Sequence, residues 1–175
     1  MAMNDPTFRV ALSGDFFHAD GSARYPDAGF DRLEQSAGIQ VSRFARHEAE
    51  VQPEQLRDVN GVIALAPRVT TRSLSGAEDL LAIGRFGVGY DTVDVPACTA
   101  ADVLLYITAG AVDYSVAEAT VGWMLALTHH VRVKDRLVRD AKWDARSGYM
   151  GSELRERTLG VVGFGGIGRT LLELL

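Results

Sequence analysis

The sequence predicts an α/β fold built on a parallel sheet, and three patterns carry that expectation. Short apolar runs of strand type alternate with short helical stretches over residues 8–107, the order expected of parallel strands with helices on both faces. The run Gly61-Val62-Ile63-Ala64-Leu65-Ala66 is continuously apolar, as a strand buried on both faces must be. Near the end, Leu159-Gly160-Val161-Val162 leads into Gly163-Phe164-Gly165-Gly166-Ile167-Gly168, after which the apolar period turns helical. G-x-G-x-x-G therefore sits at an expected strand-to-helix turn, the context that gives this motif its meaning.

Each glycine has a physical reason. The first makes a tight turn, the second lets the backbone approach a pyrophosphate, and the third lets the helix pack close to the strand. The helix N-terminus then presents free N–H groups and a partial positive charge to the phosphates. Ile167, Leu171, Leu174 and Leu175 are spaced to form one apolar helix face. A dinucleotide site continues to an acidic residue ~20 residues further on that holds the ribose, and this sequence stops at Leu175. The site is expected to begin here without being finished.

The 175 residues carry a net charge of −5, with 47% hydrophobic and 23% charged residues, ordinary for a globular protein with ample core material. The length suggests one or two domains. With pI ≈ 5.3 there is no basic excess to neutralise phosphates, which argues against a nucleic acid partner. Cys98 is the only cysteine, so no disulfide within the chain and no Cys-rich metal site is expected. Residues 1–6 carry no basic region leading into an apolar run, so no signal peptide is expected. No uncharged apolar stretch reaches ~18 residues, so no membrane span is expected. A reducing, cytoplasmic setting is the default.

Along the chain, residues 8–12 form a first strand, ended by the turn residues Ser13-Gly14-Asp15. A polar loop through Asp20-Gly21 and Tyr25-Pro26-Asp27 follows. Residues 30–37 read as a short helix with Phe30, Leu33 and Ala37 on one face and Gly38 as its C-cap. Residues 39–44 are a second strand. Residues 53–59 are a short helix with Pro53 at its start, where the missing N–H does no harm. Residues 61–66 are the third strand, closed by Pro67, and residues 75–80 are helical. Residues 81–86 are the fourth strand, followed by a second glycine loop, Gly87-Val88-Gly89-Tyr90-Asp91. Asp91 and Asp94 stabilise that turn and cap the next helix, which spans residues 95–101 and buries Cys98 as packing. Residues 103–107 are the fifth strand.

Residues 114–143 read as one long helix. Ser115-Val116-Ala117-Glu118 fits a capping box. Residues 116–127 are apolar nearly all round, so burial on more than one side is expected. From Val131 the pattern is amphipathic, with Val133, Leu137 and Ala141 inward and a solvated basic face of Arg132, Lys134, Arg136, Arg139 and Lys142 diluted by Asp135 and Asp140. Residues 145–156 are a polar connector.

Four blocks, taken together and in order, resemble the D-isomer-specific 2-hydroxyacid dehydrogenase family: Ala64-Leu65-Ala66-Pro67-Arg68-Val69-Thr70; Arg85-Phe86-Gly87-Val88-Gly89-Tyr90-Asp91-Thr92-Val93-Asp94; Thr108-Ala109-Gly110 with Ser115-Val116-Ala117-Glu118; and residues 159–168. The resemblance spans essentially the whole chain. It implies a flavodoxin-like substrate domain over residues 1–98 and the beginning of a Rossmann NAD(P)-binding domain over residues 99–175. It implies that Leu65, Ala66, Gly87, Val88 and Gly89 hold the carboxylate of a small 2-keto or 2-hydroxy acid. Thr108, Gly163, Phe164, Gly165, Gly166, Ile167 and Gly168 would contact NAD or NADP. It also implies a homodimer through the cofactor domain. Ala64 and Leu65 stand where many members have arginine and serine, Ala109 replaces a proline and Thr92 an asparagine; these departures blur the substrate. The family's catalytic arginine, acidic residue and acid–base histidine follow the dinucleotide motif, so no catalytic residue is assigned within these 175 residues.

His18, His47, His129 and His130 read as surface or packing residues, because no orienting partner stands near them in sequence. Ser115 reads as a cap, not a nucleophile, since no base stands beside it. Two readings stay open. In one, the sequence is the N-terminal half of an NAD(P)-dependent dehydrogenase, inactive alone. In the other, the chain is a remnant or binding module without turnover.

Overall fold

The computed structural model describes residues 7–175; residues 1–6, on which the expectation about a signal peptide bears, lie outside them. The chain divides into two compact units after Ala109. Among the described residues no helix is long and apolar enough to cross a membrane.

The first unit is an all-parallel five-stranded sheet in the order β2-β1-β3-β4-β5. Its strands are β1 (Phe8–Leu12), β2 (Ile39–Arg43), β3 (Gly61–Ala64), β4 (Ala82–Arg85) and β5 (Leu104–Ile107). This is the flavodoxin-like order, in which the chain reverses its direction of winding between β1 and β3. The five predicted strands are present, each ending within two residues of its expected limit. Side-chain alternation sorts the core onto two faces. Val10, Leu12 and Phe16 are buried with Phe30, Ile63 and Phe86 packed against them. Ala11, Val62, Ala64 and Ile83 are buried with Val51, Leu56, Val69, Leu80, Cys98 and Val103. A parallel sheet is stable only with both faces covered.

Helix α1 (Phe30–Glu34) is shorter than expected, and Gly38 adopts φ 78 just before β2. Residues Pro53–Leu56 form a 3-10 turn, with Asp58 at φ 57 ending it before Val59. The helix expected over residues 75–80 is absent: the segment is a chain of turns, with Gly76 at φ 77 breaking helical register. Helix α2 (Val95–Ala100) is capped as expected, the Asp94 carboxylate accepting the Ala97 N–H at 3.0 Å. The functional boundary expected after residue 98 falls inside α2, whereas the compact unit continues to Ala109 because β5 pairs with β4.

The second unit departs more from expectation. The long helix is broken into α3 (Asp113–Thr128) and α4 (Val131–Arg139), with His130 in the left-handed region at φ 54. The Thr128 carbonyl accepts the Ser152 N–H at 3.0 Å, so the returning connector satisfies the end of α3. The capping box at Ser115 is not formed. Val112 is the N-cap residue, without a side-chain bond, and helix starts two residues before Ser115, where the Asp113 charge suits the helix dipole. Burial on several sides of α3 is not found either: Ala117 is buried, while Tyr114, Trp123, Leu125 and Leu127 are exposed. In α4, Val133 and Leu137 are half-buried as expected, whereas Ala141 lies past the helix end at φ 55. Residues 159–162 form no strand; no strand among the described residues pairs with them, and an unpaired strand leaves its backbone groups without ladder partners. Helix α5 (Gly166–Leu174) packs on α3; of the four residues expected on its apolar face, Leu171 is buried and Leu174 half-buried, while Ile167 and Leu175 are exposed.

Candidate functional site

Loops leaving the carboxyl ends of parallel strands are where such sheets bind ligands, at the switch point above all. In the first unit these are the segments after β1, β3 and β4.

The loop after β4 has a glycine its geometry requires. Gly87 sits at φ 141, and a Cβ built on it would lie 1.5 Å from Arg85 Nη1. The Arg85 guanidinium folds back over Gly87 and donates to the Phe86 carbonyl at 2.9 Å, while its Nε is buried without a partner. Both Gly87 backbone groups are engaged. Its N–H donates to the Arg85 carbonyl at 2.9 Å, and its carbonyl accepts the Thr108 N–H at 3.0 Å. The next two N–H groups, of Val88 and Gly89, have no hydrogen-bond acceptor among the described residues. The result is a pinned loop that offers a pair of free amides beside a guanidinium, an arrangement suited to a carboxylate.

The segment after β3 is placed differently. The Leu65 N–H donates to Ser13 Oγ at 3.1 Å and the Ala66 N–H to Asp15 Oδ2 at 2.8 Å. Ser13 Oγ in turn donates to Asp15 Oδ1 at 2.5 Å. Leu65 and Ala66, expected to hold a substrate carboxylate with their backbone, thus already give their amides to the end of β1. Ser13 and Asp15 were legible only as turn residues. That they bind the β3 loop depends on β1 and β3 being neighbours, which the sequence pattern does not state.

In the second unit, Gly163 is left-handed at φ 85 and Gly165 caps α5 with extended backbone. A Cβ on Gly163 or Gly165 would meet nothing within 4 Å, whereas one on Gly168 would lie 3.3 Å from the Gly163 carbonyl oxygen and 3.4 Å from the Phe164 ring. The turn is therefore open at the second glycine and closely packed at the third, as a pyrophosphate cradle requires. No side chain caps the first turn of α5, which leaves the N–H groups of Gly166, Ile167 and Gly168 for a ligand. One feature went unseen in the sequence. Asp113, in the first turn of α3, brings its carboxylate so close to Gly166 that a Cβ there would lie 1.9 Å from Oδ2. Thr108 is at the end of β5, in the first unit, where its N–H is committed to Gly87.

Of the remaining titratable candidates, Cys98 is buried as packing. Burial pushes its thiol pKa up, and the Asp94 charge adds to the rise. No group of three or more His, Cys, Asp or Glu residues that could hold a metal occurs among the described residues.

The sequence profile of the D-isomer specific 2-hydroxyacid dehydrogenase catalytic domain matches residues 22–163, which is most of the chain. The chain belongs to this family. It is 36% identical over 139 residues to D-3-phosphoglycerate dehydrogenase of Rattus norvegicus, covering 79% of this chain and 26% of that relative. Among solved structures it is similar to an NADPH-dependent glyoxylate/hydroxypyruvate reductase from Sinorhizobium meliloti, at TM-score 0.75 and 24% identity, covering 98% of this chain and 50% of that one. It is similar also to NAD+-bound 3-phosphoglycerate dehydrogenase from Entamoeba histolytica, at TM-score 0.69 and 23% identity, covering 96% and 50%. At these identities the structural likenesses establish the α/β fold. The family member described here thus spans about half the length of those solved chains and about a quarter of the curated relative.

Proposed function

We propose that this chain supplies the substrate-carboxylate loop and the pyrophosphate turn of an oxidoreductase that moves a hydride between NAD(P)H and a small D-2-hydroxy acid or 2-keto acid. The single observation that supports it best is the free amide pair of Val88 and Gly89 in a loop held at Gly87 from both sides. Such preorganised donors bind an anion without reorganisation cost at the moment of binding. The carboxylate contacts are assigned to Val88 and Gly89, with Gly87 shaping the loop. Leu65 and Ala66 line the neighbouring wall, their amides committed to Ser13 and Asp15. Gly163, Phe164, Gly165, Gly166, Ile167 and Gly168 are assigned to NAD or NADP, which when bound supplies the hydride; Thr108 is assigned there by its family position. The substrate domain is taken as residues 1–98 and the cofactor domain as the remainder. A homodimer through α3 accords with the exposed Trp123, Leu125 and Leu127. A cytoplasmic location completes the reading. No acid–base residue is assigned within these residues.

The test is turnover by the intact natural polypeptide, with NADH and NADPH oxidation followed on glyoxylate and hydroxypyruvate. Oxidation of either cofactor that depends on the keto acid is expected. A polypeptide that binds neither cofactor and reduces neither acid would leave a binding module and remove the enzyme reading.

A further inference from the structure

The N-termini of α3 and α5 meet at one carboxylate. Asp113 is the first residue of α3 and Gly166 the first of α5, and the two helices pack together within the second unit. A Cβ built on Gly166 would collide with Asp113 Oδ2 and lie 2.8 Å from its Cγ. With Cα–Cβ and N–Cα bonds of about 1.5 Å each, Cγ is at most about 6 Å from the Gly166 amide nitrogen. That amide belongs to the open turn assigned above to the cofactor pyrophosphate. The carboxylate therefore borders the donors that a dinucleotide would use.

No cation cancels this charge. Asp113 is half-buried and enters none of the ion pairs among the described residues. The side-chain hydrogen bonds of the second unit, made by Thr120, Thr128, Arg139, Arg146 and Arg157, do not include it. The other charged residues of the two helices are Glu118, Arg169 and Glu173, and none pairs with it. Of the connector's arginines, Arg155 pairs with Glu156 at 3.8 Å and Arg157 donates to the Glu153 carbonyl at 3.1 Å. What favours the carboxylate here is the partial positive charge at two helix N-termini. In the free protein it fills part of the role that the α5 N-terminus offers to a phosphate.

We propose that Asp113 is a resident anion that holds dinucleotide affinity down. The pyrophosphate brings two negative charges to a turn that already borders one. Binding must either displace the Asp113 carboxylate or accept its repulsion, which water and salt weaken without removing at this range. The proposal rests on the dinucleotide reading of the turn and deepens it, because a residue outside the glycine motif then sets how tightly the cofactor is held.

The test compares wild type with Asp113→Asn in the intact polypeptide, each titrated with NADH and NADPH by fluorescence. Salt is set at about 0.01 M and about 1 M, where the Debye length is about 30 Å and about 3 Å. Asparagine keeps the size of the side chain and removes its charge. The variant is expected to bind the cofactor at least about threefold more tightly at low salt, and the gain should shrink at high salt. Thermal unfolding of the unliganded variant should come slightly earlier, since two helix N-termini lose a favourable charge. Tighter binding by a less stable protein is a pair of signs that a purely structural role would not produce. Equal or weaker binding by Asp113→Asn overturns the proposal and leaves the cofactor reading in place, as does a gain undiminished at high salt. Binding of neither cofactor by either protein overturns both.

Discussion

Arg85 Nη1 occupies the space in which a Gly87 side chain would begin, 1.5 Å from where its Cβ would be. Gly87 is also at φ 141, which side-chain-bearing residues rarely adopt. Gly87→Ala must therefore both displace the guanidinium and strain the backbone. The expected cost is about 1–3 kcal/mol of stability, read by urea denaturation, with a rise in KM for keto acids as the Val88 and Gly89 amides lose their alignment. An unchanged KM and midpoint would show that the loop is not held in this way.

At the other glycine turn, Gly168→Val should push α5 away from Gly163 and Phe164, whose nearest atoms would be 3.3 and 3.4 Å from the first added carbon. Overpacking of this kind costs about 1–3 kcal/mol. The sharper readout is NADH fluorescence on titration: affinity should fall for Gly168→Val. Gly165→Ala, where nothing lies within 4 Å, should leave the fold intact and weaken the cofactor alone.

His130→Gly tests the break between α3 and α4. At φ 54 a glycine removes the left-handed penalty of about 1–2 kcal/mol, partly offset by its greater freedom in the unfolded chain, so thermal unfolding should be unchanged or later. A continuous helix through residue 130 would instead make glycine destabilising by about 1 kcal/mol.

Asp94→Ala removes the N-cap of α2 and should cost about 1 kcal/mol. It also removes a negative charge that helps raise the Cys98 thiol pKa, burial being the larger cause. Since the folded value is raised, the stability linked to the neutral thiol is complete below the unfolded thiol's pKa and is lost as pH rises through the folded one. Cys98 is expected to react with a thiol reagent at pH 8 only on unfolding, in wild type and, somewhat faster, in Asp94→Ala. Rapid labelling of the native protein would contradict its burial.

The sequence by itself determined the parallel α/β class, the five strands of the first unit, the Asp94 cap and the spacing of both glycine turns. These depend on apolar runs, turn residues and glycine requirements that act within a few residues of one another. Only the tertiary structure decided where strand order matters. That Ser13 and Asp15 hold the Leu65 and Ala66 amides follows from β1 lying next to β3, a contact between residues about fifty positions apart. At the break at His130, the Ser152 N–H meets the end of α3, and residues 159–162, which form no strand, have no pairing neighbour among the described residues. Local propensity cannot supply these outcomes, because each turns on hydrogen-bond partners distant in the chain or not found among the described residues.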